Sequence, residues 1–375
     1  MESQDRSASY RVPWPSACAW LRLPFRPPAL SRAPAGCFAA ALPGALRCAL
    51  RPREAQPAAL FFLISGFVII RSVERISSAQ FLLQRFFRII PTCMAAVVFV
   101  AFVTWLVCKQ AGLEHPNSLQ SLWTSSFALN FYNGAFATIP VLWTLEVEIA
   151  FYLLVAVLAA TPMGLTSRGL IATSVVCLLF VSLSASPAGL GLPPSVVRIT
   201  QHWSTILVHI SFMLVGSLIY RAYTAGNWAR RLPLVVIAVL LYWVNLTVLM
   251  SATANQGIGA TLNDCMAALV IFVAGMLAGL EAGWLKPLRW IGSISYPLYL
   301  LHVPLAWMLL YAFARLGLGM NIAGLLSVSI IIFASWLMHR TIEMPSQNFG
   351  KRLAKLLPPR RVTAPAIASA ESAVG

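Results

Sequence analysis

Long apolar stretches dominate this sequence and limit what it can fold into. Nine of them are long enough, or nearly long enough, to cross about 30 Å of hydrocarbon as helices. Only 10% of the 375 residues are charged and 59% are hydrophobic, whereas about 25% of the residues in a soluble domain are charged. We therefore predict an all-α, polytopic bundle of transmembrane helices. Its spans are expected at 58–71, 92–108, 140–160, 169–186, 204–222, 232–250, 262–280, 291–313 and 321–339.

The basic residues indicate which loops face the cytoplasm. One set of alternate loops, together with the C-terminal segment, holds 16 Lys and Arg, and the other loops hold 3. Loops rich in Lys and Arg lie on the cytoplasmic side of a membrane, so we predict a multi-pass protein with a cytoplasmic C-terminus. The net charge of +16 does not indicate nucleic-acid binding, because the cations are spread over short loops and not gathered on one soluble face.

The two ends of the chain differ from the membrane body, which we place at residues 58–345. With nine spans and a cytoplasmic C-terminus, the N-terminus should lie outside, yet residues 1–57 carry eight Arg. This segment also lacks a helical or strand period. We predict that this segment is disordered or mistranslated and does not belong to the fold. Residues 346–375 are expected to form a basic, disordered cytoplasmic tail.

Five motifs follow one another through the membrane body: LFFLISGFVII (60–70), FLLQRFFRIIP (81–91), LWTLEVEIAFYLL (142–154), WIGSISYPLYLLHVPL (290–305) and RTIEMP (340–345). Together they resemble acyltransferase family 3, the integral membrane O-acyltransferases of the bacterial inner membrane. The resemblance implies transfer of an acyl group, such as acetyl, from acyl-coenzyme A to a hydroxyl of a cell-surface or secreted carbohydrate. It implies no tightly bound cofactor, and its implied partners are acyl-coenzyme A, a glycan or lipid-linked glycan, and membrane lipid.

Arg85 and Arg88 lie one helical turn apart at the predicted cytoplasmic end of a span. Guanidinium groups are well suited to binding phosphate. The match to the Arg-rich loop of the family implies that both hold the phosphates of the coenzyme A donor. The alternative is that they anchor the helix at the interface, as basic residues commonly do. Pro91 is expected to kink or restart this helix.

Two ionisable residues are predicted to lie near the bilayer centre. Glu148 is about eight residues, or ~12 Å, into its span, and His302 is similarly deep in a later one. An ionisable group there costs several kcal/mol unless it is paired or functional. The resemblance implies a catalytic role for both. The alternatives are a structural ion pair for Glu148 and a hydrogen-bonded core position for His302.

Aromatic and hydroxyl side chains accompany these two residues. Trp143 and Tyr152 flank the glutamate, whereas Tyr296 and Tyr299 precede the histidine. We predict that these four residues bind substrate. The cysteines and histidines do not have the spacing of a metal site, so no metal is predicted.

Two further features are predicted to be structural. The small pair Ser65 and Gly66 should let two helices approach closely. Glu343, which with Pro345 resembles the terminal E-x-P of the family, should cap the end of the last span.

One element of the family pattern is absent. The first span of the family normally carries an Arg followed by a His that serves as general base, whereas no His precedes His115 here. Losing a general base lowers a rate by about 10²–10⁴-fold, so a catalytically impaired member is one alternative function. We expect the reading frame upstream of Leu60 to encode this missing span, which would make ten.

A secondary transporter is the other alternative, since transporters also combine many spans with intramembrane polar residues. Neither repeated halves nor helices broken by Gly or Pro, which are typical of transporters, are evident in the sequence.

Overall fold

The computed structural model describes residues 55–111, 118–129, 138–161, 164–185, 193–226, 228–252, 258–278 and 286–359. Within these ranges the chain is helical and forms no strand, which confirms the predicted all-α bundle. The helices are α1 (Ala55–Arg75), α2 (Ser78–Ala111), α3 (Leu119–Ser126), α4 (Leu142–Ala159), α5 (Ser167–Ser184), α6 (Pro194–Thr224), α7 (Trp228–Ala252), α8 (Ile258–Leu277), α9 (Lys286–Ser293), α10 (Ser295–Arg315), α11 (Met320–Met338), a π turn (His339–Glu343) and α12 (Met344–Ala354).

Each of the nine predicted spans falls mainly within one of these helices. Seven helices of the described residues are long and apolar enough to cross a membrane, and Leu262–Leu277 is a shorter apolar helix. The other two predicted spans lie in α1 and α8. In α1, three of the last five residues are charged, as expected where a span leaves the bilayer.

The helices pack in two groups that α4 joins. In the first, which we call the α6 group, α1, α5 and α7 pack on α6, and α8 packs on α1. In the second, the α2 group, α3, α10 and α12 pack on α2, and α11 packs on α10. Because α4 contacts α1, α2 and α6, its side chains reach both groups.

A close approach of backbones holds α1 against α6. A Cβ atom built on Gly66 would lie 1.9 Å from the carbonyl oxygen of Met213, and one built on Gly216 would lie 2.3 Å from that of Leu63. Ser217 Oγ also donates to the carbonyl oxygen of Gly66 at 3.0 Å. The predicted close helix approach at Gly66 is confirmed, because no larger residue would fit there without moving one of the helices.

Helix α2 contains Pro91, at which we predicted a kink or a restart. The helix runs from Ser78 to Ala111 with Pro91 inside it, so it does not restart there. Transmembrane helices tolerate proline because neighbouring groups and small backbone adjustments satisfy the carbonyl that loses its partner.

The chain after residue 345 is more ordered than predicted. For residues 346–354 the expected disordered tail is instead part of α12, which packs on α2. Farther on, Ser77 Oγ donates to the carbonyl oxygen of Pro358 at 3.1 Å. Residues 1–54 and 360–375 lie outside the described residues, so the predictions about them stay predictions.

Candidate functional site

The predicted site residues fall into two clusters on either side of α4. We call the first the Arg85 cluster; its members are Ser72, Phe81, Arg85, Glu148 and Tyr152. The second, which we call the aromatic row, consists of Phe61, Phe62, Trp143, His209, Tyr299 and His302.

The guanidinium group of Arg85 lies against two aromatic rings. Its central carbon is 5.2 Å from the ring centroid of Phe81 and 5.3 Å from that of Tyr152, distances typical of cation–π contacts. One Nη atom donates to Ser72 Oγ at 2.9 Å. Arg85 is therefore held by α1, α2 and α4 together, and it is only half-exposed.

Glu148 and Tyr152 lie one turn apart on α4, and the tyrosine hydroxyl donates to the glutamate carboxylate. Arg88 and Arg85 both attract the carboxylate electrostatically. A charged group inside a membrane helix needs such partners, because it has left water. Arg88 itself is exposed, so of the two predicted phosphate-binding arginines one is fixed and the other is open to a ligand.

Tyr296 lies at the edge of the same cluster. Its hydroxyl donates to the carbonyl oxygen of Ile89 at 2.9 Å, which ties α10 to α2. Glu148, Tyr152 and Glu343 are all close enough to interact with it electrostatically. The hydroxyl that was predicted to bind substrate thus already has a backbone partner.

The aromatic row connects four helices through ring contacts. Tyr299 stacks on Phe61, with centroids 5.9 Å apart and planes 4° from parallel, and the His302 ring lies 5.7 Å from Tyr299. Phe61 contacts Phe62 at 5.9 Å. On the far side of Phe62, the His209 ring lies 5.2 Å from it. The row thus begins at α10 and passes through α1 to α6.

Trp143 completes the row on α4. Its ring lies 5.4 Å from His209 and 6.1 Å from Phe62. The indole is 36% exposed, so part of its face remains available to another molecule.

Both imidazoles in the row are oriented by their own helices. His302 Nδ1 lies 2.7 Å from the carbonyl oxygen of Tyr299, and His209 Nδ1 lies 2.7 Å from that of Thr205. A carbonyl oxygen only accepts, so Nδ1 carries the hydrogen and Nε2 of the neutral ring has the lone pair. His302 is also exposed, so its Nε2 lone pair is accessible to a hydroxyl group, as a general base requires.

The Tyr299 hydroxyl joins α10 to α4. It lies 2.6 Å from Thr144 Oγ1 and 3.4 Å from the carbonyl oxygen of Val141. Among the described residues no hydrogen bond connects Glu148 with His302. The structure therefore brings Arg85, Glu148 and Tyr152 together, and it places the predicted catalytic histidine in the other cluster.

His209 and the pair formed by Glu146 and His202 were not among the predicted site residues. His202 Nε2 lies 3.0 Å from Glu146 Oε1 and joins α6 to α4. The only signal in the sequence was a polar residue within or beside an apolar span. That signal does not say which residues of different helices will meet.

Glu343 has a different role from the predicted helix cap. It is buried within the π turn, where His339 Nδ1 lies 2.7 Å from one carboxylate oxygen and Gln347 Nε2 donates to the other at 2.9 Å. The carboxylate thus closes the π turn through His339 and ties the turn to α12 through Gln347. Its role is structural, as predicted, although it acts within the turn and not at a helix end.

An apolar cavity of about 660 Å³ lies beside Arg85 and Tyr152, between α2, α4, the end of α12 and the residues just after it. Apart from these two residues, its lining is hydrocarbon and aromatic: Ala79, Leu82, Leu83, Phe86, Ile89, Ile90, Ile149, Leu153, Leu353, Leu356 and Leu357. A cation at the wall of an apolar cavity is suited to a ligand that carries both phosphate and an apolar arm. Among the described residues no group of His, Cys, Asp or Glu could hold a metal ion.

Comparison with known proteins identifies the family. The sequence model of acyltransferase family 3, described as an acyltransferase domain, matches residues 58–340. Neither the curated proteins nor the solved structures give a match. The matched segment covers most of the chain, including both clusters and all but the first residues of α1. This multi-pass membrane protein therefore belongs to acyltransferase family 3.

Proposed function

We propose that the protein transfers an acyl group from acyl-coenzyme A to a hydroxyl of a cell-surface or secreted carbohydrate. The observation that carries the proposal is the Arg85 cluster. It places the guanidinium group of Arg85 and the ring of Tyr152, whose hydroxyl bonds to Glu148, at the wall of an apolar cavity. Arg88 is exposed one turn farther along α2. Family membership supports acyl transfer, and this cluster supports a donor that is both phosphorylated and partly apolar.

The donor would bind from the cytoplasmic side, where the distribution of basic residues predicts that Arg85 and Arg88 lie. Arg88 is exposed and Arg85 is half-exposed, so both guanidinium groups can contact phosphate oxygens. The cavity of about 660 Å³ beside Arg85 suits the less polar arm that links the phosphates to the thioester.

The acceptor would bind at the aromatic row. A sugar has apolar C–H faces and polar hydroxyls, and an indole ring with a neighbouring imidazole matches both. Trp143 and His209 offer that combination on α4 and α6. The exposed imidazole of His302 belongs to the same row through Tyr299.

The reaction would need one proton acceptor. The hydroxyl oxygen attacks the thioester carbonyl carbon, the carbon–sulfur bond breaks, and an ester and coenzyme A thiolate result. His302 Nε2 would accept the hydroxyl proton and return it to the thiolate, so that atoms and charge balance. Glu148 would keep Tyr152 and Arg85 in place as the donor binds.

The test is acyl transfer in membranes that contain the full chain. Radiolabelled acetyl-coenzyme A is supplied, and label in purified polysaccharide is counted. Glu148→Gln should lower transfer strongly, because it removes the charge that faces Arg85 and Arg88. Glu146→Gln is the matched control, since it removes a carboxylate two residues away that pairs with His202 instead.

The second candidate function is that of a catalytically impaired member of the family. The absence of any His before His115 motivates this alternative. In that case the chain would bind coenzyme A, measured by equilibrium dialysis of the purified protein, without labelling polysaccharide. Failure to bind coenzyme A would contradict both candidates.

A further inference from the structure

A second cavity lies on another face of α2. It has a volume of about 760 Å³ and is bounded by α2, the π turn and α12. It shares no lining residue with the cavity beside Arg85, and the neighbouring residues Phe86 and Phe87 line different cavities. The second cavity is therefore separate from the proposed donor site.

Its apolar wall is fixed by close contacts between α2 and α12. A Cβ atom built on Gly350 would lie 2.5 Å from Cβ of Phe87, so only glycine allows this approach. Ser346 Oγ donates to the carbonyl oxygen of Phe87. The Phe87 and Phe349 rings meet edge to face at 5.2 Å, and both line the cavity.

Two exposed arginines, Arg340 and Arg352, lie at the same cavity. Across the part of the chain that the structure describes, neither guanidinium group takes part in an ion pair or side-chain hydrogen bond. The nearest carboxylate in the sequence, Glu343, is buried and already bonded to His339 and Gln347. The cavity thus combines an apolar wall with two uncompensated positive charges.

The charge distribution of the loops puts this end of the bundle on the cytoplasmic side. The cytoplasmic leaflet contains anionic lipids, and basic pockets between helices on that side bind their headgroups. We propose that this cavity is a binding site for an anionic phospholipid. Arg340 and Arg352 hold its phosphate, and one acyl chain lies along Phe87 and Phe349.

The proposal is independent of the acyl-transfer reaction, so its test needs no activity. The full chain is purified in detergent and titrated with phosphatidylglycerol or with phosphatidylcholine of the same acyl chains, and bound lipid is counted by native mass spectrometry. We expect phosphatidylglycerol to bind and phosphatidylcholine to bind much more weakly. Equal binding of the two lipids would overturn the proposal.

Variants then locate the site. Arg340→Gln with Arg352→Gln should weaken phosphatidylglycerol binding about 30-fold, from the contribution of two surface cations. Lys351→Gln with Lys355→Gln is the matched control, because it removes the same charge from exposed residues that do not line the cavity. Equal weakening by the two pairs would overturn the proposal, since it would indicate a general effect of charge.

Two further measurements cover the remaining outcomes. Arg340→Lys with Arg352→Lys keeps the charge and should retain most of the binding, which a misfolded variant would not. Inorganic phosphate and coenzyme A are each added to the wild-type complex with phosphatidylglycerol. Release of the lipid by either at micromolar concentration would show a site for soluble anions and overturn the proposal.

Discussion

The Arg85 cluster and the aromatic row are built by different interactions. In the cluster, charged and hydroxyl groups satisfy one another: Arg85 bonds to Ser72, and Tyr152 bonds to Glu148. In the row, most contacts are between rings, and His302 presents a ring nitrogen that its own helix does not use. The first arrangement is suited to holding a charged ligand, whereas the second is suited to contacting an apolar face and accepting a proton.

The difference follows from the two faces of α4. Glu148 and Tyr152 face α2, which supplies the cations, whereas Trp143 faces α1 and α6, which supply aromatic side chains. If the proposed function is correct, changes in the cluster should affect the donor, and changes in the row should affect the acceptor or the proton transfer.

The largest expected effect is that of His302→Ala. Turnover should fall about 10²–10⁴-fold, the usual contribution of a general base. The KM for acetyl-coenzyme A should be unchanged, because the Arg85 cluster is intact. Steady-state kinetics with labelled donor measure both values, with His202→Ala as control. If turnover were unchanged, the aromatic row would not provide the proton acceptor.

Arg85→Gln should have the next largest effect. A hydrogen bond to a charged group contributes about 1.5–3 kcal/mol, so kcat/KM for acetyl-coenzyme A should fall about 10–100-fold, mainly through KM. Arg85→Lys should restore only part of it, since an ammonium group lacks the planar fork of guanidinium. Arg71→Gln, at an exposed position outside the cluster, serves as control. If only the KM for polysaccharide changed, the Arg85 cluster would bind the acceptor and not the donor.

Trp143→Ala should weaken acceptor binding. An aromatic contact contributes about 0.5–1.5 kcal/mol, so the KM for polysaccharide should rise about 2–12-fold while the KM for the donor stays the same. Trp105→Ala is the control. It removes a similarly exposed tryptophan from α2, far along the helix from Arg85, and should change neither KM. If the two variants behave alike, the row does not bind the acceptor.

The smallest expected effect is that of Tyr152→Phe. It removes the hydroxyl that donates to Glu148 and leaves the ring that contacts Arg85. A hydrogen bond to a carboxylate contributes about 1.5–3 kcal/mol, but this bond acts on the donor only through Glu148, so kcat/KM for the donor should fall only about twofold. Tyr242→Phe, whose hydroxyl contacts Cys265 in the α6 group, is the control. A change in the acceptor KM would show that the two regions are coupled through α4.

Some of this architecture follows from the sequence because it depends on local properties. Apolar length predicts where helices form in lipid, since every backbone group there must bond within its own segment. The spacing of four residues also predicts that Glu148 and Tyr152 share a face of α4. The motifs around Arg85 and His302 led to the family without any knowledge of their contacts.

Other features depend on which helix faces meet, and hydropathy contains little information about that. The row from His302 through Phe61 to His209 requires α10, α1 and α6 to be rotated so that their rings converge. The helix that replaces the expected tail depends on Gly350 fitting against Phe87. Helix rotation and tilt in a membrane are set by the summed packing of many side chains, so the sequence alone determined the helices and their candidate residues, and only tertiary packing decided which of those residues lie together.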